Sequence, residues 1–328
     1  MQELRILLLH TESLPHFPNP PRQLITYNRS MQEFPPDISP EVIAIMPNKD
    51  NMRKVVHSAL KIWNVPMNNL SDEQGIAYDF FTKNILCSVS IFNIVNPVPS
   101  PLLSPPLPSN QVFSDFPSAI VLLRSLFEGY INMSYLFRQG IGGDLFDLKL
   151  ALWRRHSLIE LKKMTESSGF KGVGSFCESN EEKIKQLETQ INSSTIFNSL
   201  SNGKKEKILK EDEWSLESTN VKAQNGGIPG PNAQFFYKYW SGYAHSTTYA
   251  IEQVSTINSA ENAVDMMFNP IYYTDLLLTK IIQVYGIALP IVAELIKKDG
   301  FIVQRIKFWD TYANRDIKKM NKRTQIAN

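Results

Sequence analysis

Two pairs of polar side chains stand four residues apart in apolar surroundings, and their types suit anion binding and proton transfer. The first is Arg124 and Glu128, within Ala119-Ile-Val-Leu-Leu-Arg-Ser-Leu-Phe-Glu-Gly-Tyr-Ile131. The second is Ser241 and His245, within Tyr239-Trp-Ser-Gly-Tyr-Ala-His245. Spacing of i, i+4 places both members of each pair on one face of a helix. Val121, Phe127 and Ile131 make the first face partly buried, where an unpaired charge is costly. The four side chains are therefore expected to converge in one polar cluster between two helices. Three readings of that cluster are open. It is a polar network that fixes helix register. Alternatively it is a site in which Glu128 holds His245 as acid or base while Arg124 binds phosphate or another anion. A metal held by Glu128 and His245 alone is the weakest, because a site wants three or more ligands; no metal and no cofactor is expected.

A second chemistry is offered by basic residues. Lys149, Arg154, Arg155, His156, Lys162 and Lys163 follow one another along a single helical stretch. Residues 305–323 hold seven Lys or Arg, among them Arg315, Lys318, Lys319, Lys322 and Arg323, against Asp310 and Asp316. Phe308, Trp309 and Tyr312 are interleaved, as in proteins that stack single-stranded nucleic acid. The competing reading is an amphipathic helix that docks Ile302, Ile306, Trp309 and Ala313 and leaves its lysines in water.

The elements that position these groups read as helices. Proline divides the chain: sixteen of the 20 prolines fall within residues 1–117. They predict an irregular, proline-rich N-terminal extension over 1–69, followed by a helical bundle domain over 70–297 and a basic amphipathic C-terminal helix over 298–328. Ser71-Asp-Glu-Gln74 is a capping box ahead of an apolar run to Val95, and Ser179-Asn-Glu-Glu182 is another. Helices are predicted from Ser114 to Gln139, from Asp144 to Met164, and over about 232–256, 261–297 (bent at Pro290) and 301–323. No stretch alternates long enough to demand a strand. The fold class is all-α, a multi-helix bundle with long amphipathic helices.

Composition excludes several classes. With 34 Lys and Arg against 32 Asp and Glu, the net charge of +2 gives no global attraction for nucleic acid or anionic membrane. At 43% hydrophobic and 20% charged, the 328 residues are those of an ordinary globular protein. Only Ile6–Leu9 is continuously apolar near the N-terminus, short of the roughly 7–15 residues of a secretory signal, so a cytoplasmic location is expected. Ile281–Ile296 is interrupted by Gln283, Pro290 and Glu294 and reads as a buried helix, leaving no membrane partner. Cys87 and Cys177 form neither a disulfide framework nor a zinc site. Phosphate-loop, zincin and G-x-S-x-G motifs are absent.

R-x-x-x-E on an apolar helix, followed about a hundred residues later by S-x-x-x-H on an aromatic one, resembles the bacterial domain-of-unknown-function family 5677 over roughly residues 70–297. The resemblance implies an all-helical protein and, by architecture, kinship with HEPN domains of prokaryotic defence and toxin–antitoxin systems, some of them ribonucleases. The R-x4–6-H motif of active HEPN ribonucleases appears here only as Arg5 and His10, ahead of Pro15. The expected role is an interaction or nucleic-acid-associated module with RNA or a protein as partner. One alternative is a metal-independent RNase-like hydrolase using His245, Glu128, Arg124 and Ser241. The other is a structural homodimer with a buried polar network.

Overall fold

In the computed structural model the chain divides into two units, Met1–Ala44 and Ile45–Asn328, and the residues described are 46–96, 115–168, 174–210, 213–228, 230–255 and 260–311. They form α1 (Lys49–Trp63), α2 (Asp72–Val95), α3 (Phe116–Phe137), α4 (Asp144–Ser168), α5 (Gly174–Ser193), α6 (Thr195–Ser199) and α7 (Asn202–Lys210). They continue with α8 (Thr219–Asn225), α9 (Gly230–Ala244), α10 (Thr248–Ser255), α11 (Ala260–Ala288) and α12 (Pro290–Lys298). A last helix, α13, covers 300–311. No strand occurs among the described residues, and the fold is all-α.

α1 corrects the expectation of an irregular chain up to residue 69. Asn48 caps it by accepting from the Asn51 amide at 2.8 Å. Met52, Val55, Val56, Ala59 and Ile62 then bury one face against α2 and α11. Pro47 and Pro66 lie just outside the helix and do not interrupt it.

The central packing is α2, α3 and α11, each in contact with the other two. Ser71 and Gln74 close the capping box that starts α2, and Asp115 caps α3 with Pro117 in its first turn. Phe81 of α2 stacks on Tyr285 of α11 at 4.0 Å between centroids. α9 lies on α3, fixed by Phe127 against Trp240 (5.5 Å, edge-to-face) and Phe116 against Tyr243 (5.7 Å). Beside this body, α4 packs on α5 and α6 around a separate apolar cluster of Leu148, Ala151, Leu152, Ile191, Phe197 and Ile208.

Three boundaries differ from the sequence expectation. The predicted helix over 232–256 is two helices, α9 and α10. Ser246 adopts φ 51°, the Ser246 amide donates to the Tyr243 carbonyl and the Thr247 amide to the Gly242 carbonyl, which is a Schellman motif. The bend expected at Pro290 is a full break, because Leu289 is extended (φ −124°) and Pro290 opens α12. α5 starts at Gly174, ahead of the Ser179 capping box. α8 was not expected at all.

Candidate functional site

α3 and α9 each present a polar stripe at four-residue spacing: Arg124, Glu128 and Asn132 on one, Tyr237, Ser241 and His245 on the other. Because α9 is pinned on α3 by aromatic contacts, the two stripes meet. Arg124 is the hub. Its Nε donates to Glu128 Oε1 at 3.2 Å, and its Nη2 lies 3.2 Å from the same oxygen. Nη2 also reaches the Tyr237 hydroxyl at 3.4 Å, and the guanidinium carbon sits 5.1 Å from the Tyr237 ring centroid. On its other side Nη1 is 3.4 Å from His245 Nε2. A guanidinium can only donate, so the contact is a hydrogen bond in the tautomer whose Nε2 carries the lone pair.

The geometry departs from the expected cluster in three respects. It is open: Arg124 keeps 20% of its side-chain exposure, Glu128 keeps 38%, and His245 is exposed. Arg124, rather than Glu128, contacts His245. Ser241 belongs to the stripe but not to the network, because its hydroxyl donates to the Tyr237 carbonyl at 2.5 Å within its own helix. His245 is the last residue of the α9 turn before Ser246 reverses the chain, so its ring stands at a helix end.

Sequence reading missed Tyr237, although it lies four residues before Ser241 and eight before His245 on the same face. It also missed Lys222 of α8, which lies at the far end of the α3 stripe. There Lys222 Nζ donates to Asn132 Oδ1 at 3.2 Å. Burial pushes its amine down to about 8, with Glu217 and then Glu128 pulling it partly back.

The basic residues of α4 are largely engaged by carboxylates and carbonyls of the chain itself. Arg154 pairs with Asp72 at 2.5 Å, Lys162 with Glu181 at 2.6 Å and Lys163 with Glu160 at 2.7 Å. Arg155 is buried, 2.9 Å from Glu188, and donates to the Ile208 and Leu209 carbonyls. In α13, Trp309 is 1% exposed and gives its indole N–H to Asp275 at 2.9 Å, so it is a docked core residue and not a stacking platform. Arg315, Lys318, Lys319, Lys322 and Arg323 lie outside the described residues. Cys87 is buried, with its thiol pushed up to about 11 by burial and directed at the Leu122 carbonyl, which leaves it no nucleophilic role. Among the described residues no group of three or more His, Cys, Asp or Glu is placed to hold a metal ion. No described helix is long and apolar enough to cross a membrane.

Residues 112–262 match a family of unknown function, DUF5677, a narrower stretch than the 70–297 over which the motifs suggest the resemblance. No curated protein and no solved structure matches the chain significantly. The stretch that matches this family model holds Arg124, Glu128, Tyr237, Ser241 and His245.

Proposed function

We propose that the α3–α9 junction binds a phosphate of RNA on Arg124, with His245 beside it to exchange a proton. The carrying observation is a guanidinium already oriented by Glu128 and Tyr237 while its Nη1 edge faces an exposed imidazole. Energetics favour this over a purely structural role. A half-exposed ion pair contributes only about 0–1 kcal/mol, so stabilisation gives little account of why four polar side chains converge here. Arginine is also the side chain whose planar fork best matches phosphate oxygens.

A hydrolytic reading follows from the same contact. A phosphate that takes Nη1 displaces His245 Nε2, freeing a lone pair that can accept a proton from a ribose hydroxyl next to the bound phosphate. Nucleic-acid binding and metal-independent RNase chemistry are then two stages of one site.

The test uses a mixed RNA pool with wild type, Arg124→Ala, His245→Ala and a variant neutralised at Lys318, Lys319, Lys322 and Arg323, all checked by thermal melting. Arg124→Ala should melt within a few degrees of wild type and lose RNA binding. His245→Ala should bind and lose any cleavage. Binding unchanged in Arg124→Ala but abolished by the C-terminal neutralisation would move recognition away from this junction and overturn the reading.

A further inference from the structure

α4 and α5 pack against each other along two grooves of similar size and opposite electrostatic character. The first, of about 440 Å³, sets Lys162, Lys163 and Lys185 among Glu166, Glu181 and Glu188 and neutralises itself. Lys162 lies 2.6 Å from Glu181 and 3.9 Å from Glu166 across it. The second, of about 420 Å³, has no carboxylate in its lining. Leu158 and Leu187 are half-buried and make it apolar, together with Trp153, whose ring is held by Phe80 at 5.4 Å between centroids.

Two cations face this second groove, one from each helix. Arg154 of α4 gives Nη2 to Asp72 at the start of α2, which orients the guanidinium and leaves Nε and Nη1 without an acceptor among the described residues. Lys183 of α5 is exposed and pairs with no described carboxylate. Gln186 turns its amide N–H toward Glu182 at 3.3 Å, whereas the Gln190 side-chain amide, one turn on, has no partner among the described residues. A flat aromatic wall, two unneutralised cations and an amide that both donates and accepts are complementary to an aromatic ring that carries hydrogen-bonding edges and a doubly charged anion. The volume lies within the roughly 300–1,000 Å³ typical of small-molecule sites.

We propose that the α4–α5 groove binds a nucleoside monophosphate. The base lies on Trp153 with its edge toward Gln190, and the phosphate sits between Arg154 and Lys183. Leu158 and Leu187 cover the sugar. The site is separate from the Arg124 junction and does not depend on its role. It also gives a use to the basic stretch of α4 that the ion pairs of Lys162 and Lys163 do not exhaust.

The experiment is titration calorimetry of the full chain with adenosine monophosphate. Binding should be saturable and one-to-one, with adenosine and inorganic phosphate each at least tenfold weaker. Lys183→Glu, at an exposed position, should weaken binding tenfold or more, while Lys183→Arg keeps it. Ser157→Trp, which fills the groove from another exposed position, should abolish binding without lowering the melting temperature by more than a few degrees. Arg124→Ala should bind as wild type does. An oligoadenylate that competes no better than the monophosphate keeps the groove for free nucleotides. Tighter competition that persists in Arg124→Ala assigns the same chemistry to a nucleotide within a strand. No saturable binding, affinity that survives both Lys183→Glu and Ser157→Trp, or affinity lost in Arg124→Ala would overturn the proposal.

Discussion

Gly129 of α3 and the side-chain amide of Asn84 on α2 meet so closely that a β-carbon on Gly129 would lie 2.1 Å from Asn84 Oδ1. Asn84 is fully buried, and neither atom of its amide has a hydrogen-bond partner among the described residues. Glycine thus sets the approach of the two helices directly after Glu128 and a little over one turn beyond Arg124. Gly129→Ala should destabilise by about 1–3 kcal/mol, the usual cost of overpacking. Adding Asn84→Ala removes the colliding group and should recover most of that loss. Denaturant melts of the two single variants and the double variant check this; strictly additive losses would show that the contact does not couple them.

Ser246 occupies the left-handed position that ends α9, at φ 51°. A β-carbon there costs roughly 1–2 kcal/mol, part of which a glycine gives back through the greater freedom of the unfolded chain. Ser246→Gly should therefore raise stability by about 0.5–1 kcal/mol and leave the His245 contact intact. An unchanged or lowered melting temperature would contradict the strain.

Lys222 makes a pH-dependent prediction. Its amine is pushed from an ordinary 10.5 to about 8 in the folded chain, chiefly by burial. Between those values the unfolded chain binds the extra proton, so stability from this group rises with pH across the window. Below about 8 the full cost of burying the ammonium, on the order of 3 kcal/mol, is present. Lys222→Met should accordingly be more stable than wild type near neutrality, with the advantage shrinking as pH climbs toward 10. Comparing the two proteins at each pH cancels the buried tyrosines, whose hydroxyls are pushed upward by burial and oppose the trend at high pH.

α13 is held by a buried ion pair. Arg305 donates from Nε to Asp275 Oδ1 at 2.6 Å, with both side chains almost wholly excluded from water, and Trp309 donates to the same oxygen. Burial pushes the Asp275 carboxyl upward, while Arg305 and the hydrogen bonds restrain the rise. Asp275→Ala should cost about 3–5 kcal/mol because it strands a buried guanidinium, whereas the apolar pair Asp275→Leu with Arg305→Met should lie near wild type. Chemical denaturation of all three proteins tests the contrast.

Much of this was legible in the sequence, for reasons that particular residues make plain. The i, i+4 spacing of Arg124 with Glu128 and of Ser241 with His245 located the junction, because helical periodicity alone puts those side chains on one face. The same periodicity would have added Tyr237. Where a helix ends on glycine or starts on a capping box, as at Gly140 and Ser71, the boundary could be read. The α9–α10 break could not, because a serine takes the left-handed position that glycine advertises. α1 was hidden by flanking prolines, although Met52, Val55, Val56, Ala59 and Ile62 already formed its apolar face. Lys222 left no signal: a lysine in a short polar stretch reads as solvated, and only the approach of Asn132, Trp214 and Tyr135 buries it. The openness of the junction was equally invisible, since apolar neighbours in sequence imply burial that α9, ending just before His245, does not complete.

The apolar cluster shared by α4, α5, α6 and α7 is distinct from the interior made by α2, α3 and α11. α4 joins the two, touching α3 through Phe146 against Phe137 and through Lys149 at the Tyr135 carbonyl. A limb with its own interior and few ties to the trunk can open by itself. Amide protons of Ile191, Phe197 and Ile208 should then exchange with deuterium sooner than those of Leu126, Ile281 and Ile282, so that the molecule breathes at two rates while remaining folded.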